Sequence, residues 1–119
     1  MTPEISSDCR ASQVLPADQG EWLPMQPILA PSRRMGVLPA QGLALHTGYF
    51  LEEEPVCIRA CGPADIDIYV YDRFGILVAY DNAEGGMPRC TLKPVRSGEF
   101  TIKLVNNSLQ PVEYELDLA

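Results

Sequence analysis

Three short runs in the second half of the chain alternate strictly between apolar and polar residues. They are Ile66-Asp-Ile-Tyr-Val-Tyr71, Phe100-Thr-Ile-Lys-Leu104 and Tyr114-Glu-Leu-Asp-Leu118. A period of two puts every second side chain on one face of an extended strand. Turn residues break the runs at short spacing: Asp72-Arg-Phe-Gly75, Glu84-Gly-Gly-Met-Pro88, Ser97-Gly98 and Asn106 to Pro111. The combination predicts an all-β, jelly-roll-like antiparallel β-sandwich of about eight strands. Ile66, Ile68, Val70, Phe100, Ile102, Leu104, Tyr114, Leu116 and Leu118 should line its core. Asp67, Tyr69 and Tyr71 should point outward.

The remaining strands follow the same logic. Residues 34–38 suit a short edge strand. Leu43, Leu45, Thr47, Tyr49 and Leu51 share one face of the next, Val56, Ile58 and Ala60 form an inner face, and 76–80 and 90–92 complete the set. Residues 1–32 differ. Ser7 or Asp8 could cap a short helix over Cys9–Leu15, which Pro16 would stop. Prolines at 16, 24, 27, 31 and 39 exclude a central strand between them. The expected organisation is an N-terminal Pro-rich arm over 1–32, carrying Trp22, Leu23, Met25, Ile28 and Leu29, and a sandwich over 33–119.

The 119 residues suit one domain, and a hydrophobic fraction of 46% argues against wholesale disorder. A net charge of -7 would repel a phosphate backbone, so nucleic acid is not an expected partner. No apolar run is long enough to span a bilayer as a helix. The first residues, Met1 to Asp8, lack a basic region followed by an apolar one, so no leader is read here.

Four cysteines stand at 9, 57, 61 and 90. An even count in a small β-rich chain favours two disulfides and an oxidising compartment; four reduced thiols or a zinc site are the alternatives. On one strand, Cys57 and Cys61 would point the same way about 13 Å apart. That is beyond the reach of a disulfide, which needs Cα atoms within about 7 Å. The preferred pairing is Cys61–Cys90 with Cys9–Cys57, the latter stapling the arm to the sandwich.

The order Asp65-Ile-Asp-Ile-Tyr-Val-Tyr-Asp72, Gly75, Val78-Ala-Tyr-Asp81, Ser97-Gly-Glu-Phe-Thr-Ile-Lys-Leu104 and Tyr114-Glu-Leu116 resembles the bacterial pre-peptidase C-terminal domain. That resemblance runs from about Met35 to the end. It implies a non-catalytic, exported, jelly-roll-like module usually appended to secreted peptidases or other enzymes. Related collagen-binding modules bind calcium and extracellular polymers. Four cysteines are unusual for the commoner members of the family.

Two groups are candidate sites. Asp65, Asp67, Asp81, Asn82 and Glu84 could supply oxygen ligands to calcium, which takes roughly six to eight. The competing reading is that the aspartates cap turns through their own backbone. Tyr69, Tyr71 and Tyr80 could form an exposed aromatic face for a protein or polysaccharide partner, or lie beneath the arm against Trp22. His46, the sole histidine, reads as a strand-surface residue without chemistry. No nucleophile elbow and no phosphate-cradling loop accompany it. Asn106-Asn-Ser108 matches a glycosylation sequon formally and reads more simply as a turn. The expected function is a non-catalytic, extracytoplasmic accessory or binding module needing no cofactor, with calcium as an option. A small secreted regulator, either an enzyme inhibitor or an envelope-assembly component, is the alternative.

Overall fold

The computed structural model describes residues 28–29 and 32–119. The expected helix over Cys9–Leu15, and most of the Pro-rich arm with Trp22, Leu23 and Met25, lie outside the described residues. Nine strands are present among the described residues: β1 Ile28–Leu29, β2 Ser32–Leu38, β3 Leu43–Phe50, β4 Val56–Cys61, β5 Ile66–Tyr71, β6 Leu77–Asp81, β7 Arg89–Leu92, β8 Gly98–Asn106 and β9 Val112–Leu118. β1 pairs in parallel with β3, and the other eight are joined by antiparallel ladders.

Two sheets face one another. One runs β2-β9-β4-β7 and the other β1-β3-β8-β5-β6. The chain changes sheet at every connection except the β5–β6 hairpin, which gives the jelly-roll-like character. That hairpin turns on Asp72. Its carboxylate accepts from the N–H groups of Phe74 (2.8 Å) and Ile76 (3.0 Å), and Gly75 takes a positive φ of 81°. Glycine adopts that conformation without strain.

Alternation along the strands fills the space between the sheets. Ile58, Ile66, Ile68, Val70, Ile102, Leu104 and Leu116 are fully buried, and Phe50 stacks on Phe100 at 5.2 Å between ring centroids. The strand β3 reverses the face that its apolar residues suggest. Ala44, His46, Gly48 and Phe50 turn inward, while Leu43, Leu45 and Tyr49 are exposed. Register decides this: Ala44, His46, Gly48 and Phe50 pair with Leu104, Ile102, Phe100 and Gly98 of β8, whose parity is fixed by its own buried side chains.

One end is closed by the loop before β7. The loop 82–88 lies against residues 60–66: Ala60, Gly62 and Ile66 donate their N–H groups to the carbonyls of Pro88, Gly86 and Gly85 at 2.9–3.0 Å. A Cβ on Gly86 would overlap the Gly62 carbonyl oxygen and sit 2.8 Å from that of Ala64. Both obstacles are backbone, so the loop must shift. Gly86→Ala is expected to lower stability by about 2 kcal/mol in denaturant titration. Gly85, where a Cβ meets open space, tests the backbone conformation alone.

Candidate binding face

The two outer faces of the sandwich are chemically opposite. Across β2-β9-β4-β7, one register row reads Arg33, Asp117, Arg59, Arg89. Arg33 donates to Asp117 at 2.7 Å, and Arg59 lies 3.7 Å from the same carboxylate. This face is laced by its own ion pairs.

Across β3-β8-β5-β6, two rows read Leu45, Lys103, Tyr69, Tyr80 and Thr47, Thr101, Tyr71, Leu77. Tyr69 and Tyr80 stack at 6.3 Å with rings 14° from parallel. The Lys103 ammonium stands 5.2 Å from the Tyr69 ring centroid and 5.6 Å from that of Tyr71. A cation over a ring is held by the ring's quadrupole and restricts both partners. The three tyrosines expected to face outward therefore do so, on one continuous surface. Lys103 was missed by the sequence reading, although its alternation with Ile102 and Leu104 already placed it on the outer side. Beside Tyr71, a shallow open groove of about 430 Å³ is lined by Leu45, Asp72, Arg73, Gly75, Glu99 and Thr101.

The five oxygen-bearing residues behave differently. Asp65 accepts from the Gly85 N–H at 3.0 Å. Asp81 accepts from Ala83 through Oδ1 (3.0 Å) and from Arg89 through Oδ2 (2.9 Å). Their carboxylates brace loops, as the turn-capping reading has it. Asp67 is buried, with Oδ2 accepting from the Tyr69 hydroxyl at 3.3 Å and Oδ1 without a partner among the described residues. Asn82 and Glu84 are exposed. Among the described residues no three His, Cys, Asp or Glu side chains converge in a way that could hold a metal ion. Within the expected calcium set, Asp65, Asp67 and Asp81 each have a separate hydrogen-bonding partner.

The cysteine pairing is corrected as well. Cys57 and Cys90 are free thiols. Cys90 lies opposite Ile58 and packs against the core, whereas Cys57 and Cys61 face outward on β4. Because both thiols are free, neither Cys61–Cys90 nor Cys9–Cys57 is formed, and Cys61 and Cys90 in addition stand on opposite faces of their sheet. Cys61 is disulfide-bonded, and its partner lies outside the described residues. Burial, then the nearby Asp81 carboxylate, pushes the Cys90 thiol up to about 11, which leaves it a poor nucleophile.

His46 is not a surface residue. It points into the gap between the sheets and shares a hydrogen bond of 2.7 Å with the Tyr114 hydroxyl. Burial pushes the imidazole down to about 4, with a smaller contribution from the Arg34 cation, and burial pushes Tyr114 up to about 12. Both are neutral at physiological pH. The histidine's hydrogen-bond partner is a phenol kept protonated by burial, which does not orient a general base as a carboxylate would.

The sandwich can be placed among known folds. A solved structure of the pre-peptidase C-terminal domain of collagenase from Bacillus anthracis matches with a TM-score of 0.67, over 78% of this chain and 92% of that one. The fold is that of a pre-peptidase C-terminal domain. At 13% identity, this likeness to the collagenase domain carries topology and nothing of its ligand. No family model matches the chain, and no curated protein matches it. The pre-peptidase-type topology explains why the Asp-x-Asp strand and the Ser-Gly-aromatic strand are neighbours: they are β5 and β8, paired from Ile66↔Asn106 to Tyr71↔Thr101. No helix among the described residues is long and apolar enough to cross a membrane.

Proposed function

We propose that this chain is a non-catalytic, extracytoplasmic binding module that lays the Tyr69/Tyr71/Tyr80 face against an extended protein or polysaccharide. The single observation behind this reading is the pre-stacked Tyr69–Tyr80 pair, with Lys103 over the Tyr69 and Tyr71 rings and Tyr80 exposed, beside a groove. Rigid aromatic rings bury large area with little loss of side-chain freedom, and their faces suit sugar rings or extended peptide equally. The opposite face carries the Arg33–Asp117–Arg59 ion-pair network in place of stacked rings. The compartment is supported by the disulfide at Cys61 and by the fold shared with a collagenase domain.

The test is co-sedimentation with insoluble polysaccharides and fibrous proteins, followed by titration of the best binder. Tyr80→Ala and Tyr69→Ala are each expected to weaken binding about tenfold or more, matching roughly 1.5–2 kcal/mol for a central aromatic anchor. Tyr80 is 55% exposed, so its truncation should leave the melting temperature nearly unchanged. Wild-type affinity in both variants would sink the proposal.

A further inference from the structure

The outer face of the β2-β9-β4-β7 sheet holds one residue that such a face does not account for. Alternation along β9 sends Tyr114, Leu116 and Leu118 into the core and Glu113, Glu115 and Asp117 outward. Glu113 is exposed and Asp117 keeps 22% of its side chain in solvent, whereas Glu115 keeps only 10%. A carboxylate withdrawn from water needs a cation or several donors in return. Its described neighbours do not meet that need. Met35 and Cys61 flank Glu115 in its register row, and the Arg33 Nε stands 3.9 Å away while bonding Asp117 at 2.7 Å.

A second observation falls on the same spot. Cys61, directly opposite Glu115, is disulfide-bonded. Both members of this register pair have a further interaction that leads outside the described residues. Composition narrows the choice of partners. Of the four cysteines, Cys57 and Cys90 are free, which leaves Cys9 alone for Cys61. Before Ser32 the chain has one cationic side chain, Arg10, and it is the residue next to Cys9.

Consecutive Cα atoms lie about 3.8 Å apart, and opposite residues of an antiparallel pair about 4.5–5.5 Å. A Cys-Arg dipeptide can therefore engage both groups at once. We infer that Cys9-Arg10 docks on the Cys61/Glu115 pair, with Cys9 bridged to Cys61 and the Arg10 guanidinium paired with the Glu115 carboxylate. Cys57, also outward on β4, is no substitute. Thr91 and Ala119 stand opposite it, and neither brings a carboxylate side chain. The bridge forms by exchange of the two thiols with a small-molecule or protein disulfide. One S–S bond is made, one is broken, and the oxidant leaves as two thiols that carry the protons. The start of the chain is thereby tied to the face opposite the tyrosines. Whether those tyrosines bind a polymer does not affect this docking.

Peptide mapping of the intact protein, held in a glutathione redox buffer, is the first test. Free thiols are alkylated in denaturant without reductant, and the chain is then cut with trypsin. Peptide 1–10 should emerge joined to peptide 60–73, and the alkyl groups should sit on Cys57 and Cys90. An alkylated Cys9, or Cys9 joined to any other cysteine, overturns the inference. This measurement needs no variant, so it holds even if a substitution impairs folding. The ion pair is read by a double-mutant cycle on melting temperature with the bridge intact. Arg10→Gln and Glu115→Gln should each lower it by about 5 °C or more, and the double variant by clearly less than the sum. Losses that simply add, or no loss from Arg10→Gln, overturn the assignment of Arg10 to Glu115.

Discussion

Asn106→Ala should be the most damaging single side-chain truncation on the polar side of this fold, lowering stability by about 4 kcal/mol. Asn106 closes β8 and is fully buried. Its amide donates to the carbonyls of Gln110 (2.8 Å), Pro39 (3.0 Å) and Leu38 (3.4 Å). Its carbonyl oxygen accepts from the Ser108 N–H (2.9 Å) and hydroxyl (2.8 Å). One side chain thus ties the β2–β3 connection to the β8–β9 loop, where Gln41 also donates to the Ser108 carbonyl. Truncation leaves buried carbonyls without donors as well as a small void, and each unmet group carries its own desolvation penalty. Urea titration should show an unchanged slope with a lowered midpoint. Asn107→Ala is the control. Asn107 is exposed, its backbone N–H keeps its bond to the Asp65 carbonyl, and the change should stay within about 0.5 kcal/mol. Equal effects at the two positions would refute the account. The same geometry bears on the formal sequon, because a nitrogen buried among three carbonyls is closed to modification in the folded protein.

The contrast between Asn106 and the strands shows what could be read from the sequence. The burial parity of β4, β5, β8 and β9 was legible because side-chain alternation is a local property. Ile66, Ile68 and Val70 face inward for the same reason that Tyr69 and Tyr71 face outward. The outer tyrosine surface followed directly. The parity of β3 was not legible, since Leu43, Leu45 and Tyr49 are more apolar than the Ala44, His46 and Gly48 that replace them inside. Their orientation is set by the long-range ladder to β8, and no local window contains that information. The cysteine pairing failed on similar grounds: Cys90 looked available until its register against Ile58 turned it to the core. The aspartates read as metal ligands illustrate a different limit. Asp65 and Asp81 take N–H donors from Ala83, Gly85 and Arg89, partners that no local window of sequence marks. Asn106 stood in a stretch of turn-forming residues, where nothing marks one asparagine as buried and its neighbour as solvated.

Acid should destabilise this protein through His46 well before most of its carboxylates titrate. The imidazole is largely, not fully, buried between the sheets, held by Tyr114 from β9 and near the Arg34 cation of β2. In the unfolded chain it takes up a proton near its ordinary value of about 6.5, whereas in the folded protein it resists protonation until about 4. Above pH 6.5 both states are neutral there and nothing is lost. As the pH falls below 6.5 the unfolded state binds a proton that the folded state refuses, so stability declines until the pH passes the folded value. At about 1.4 kcal/mol per pH unit, the interval from about 6.5 to about 4 amounts to a loss of about 3 kcal/mol. His46→Gln removes the titration and retains a group able to hydrogen-bond the Tyr114 hydroxyl. Urea midpoints at pH 7 and pH 4.5 should therefore diverge strongly in the wild type and much less in the variant. The decisive quantity is the difference between the two acid losses. If wild type and variant lose the same amount over that window, the histidine is protonated as readily inside the sandwich as in water, and its burial beside Arg34 has no energetic consequence.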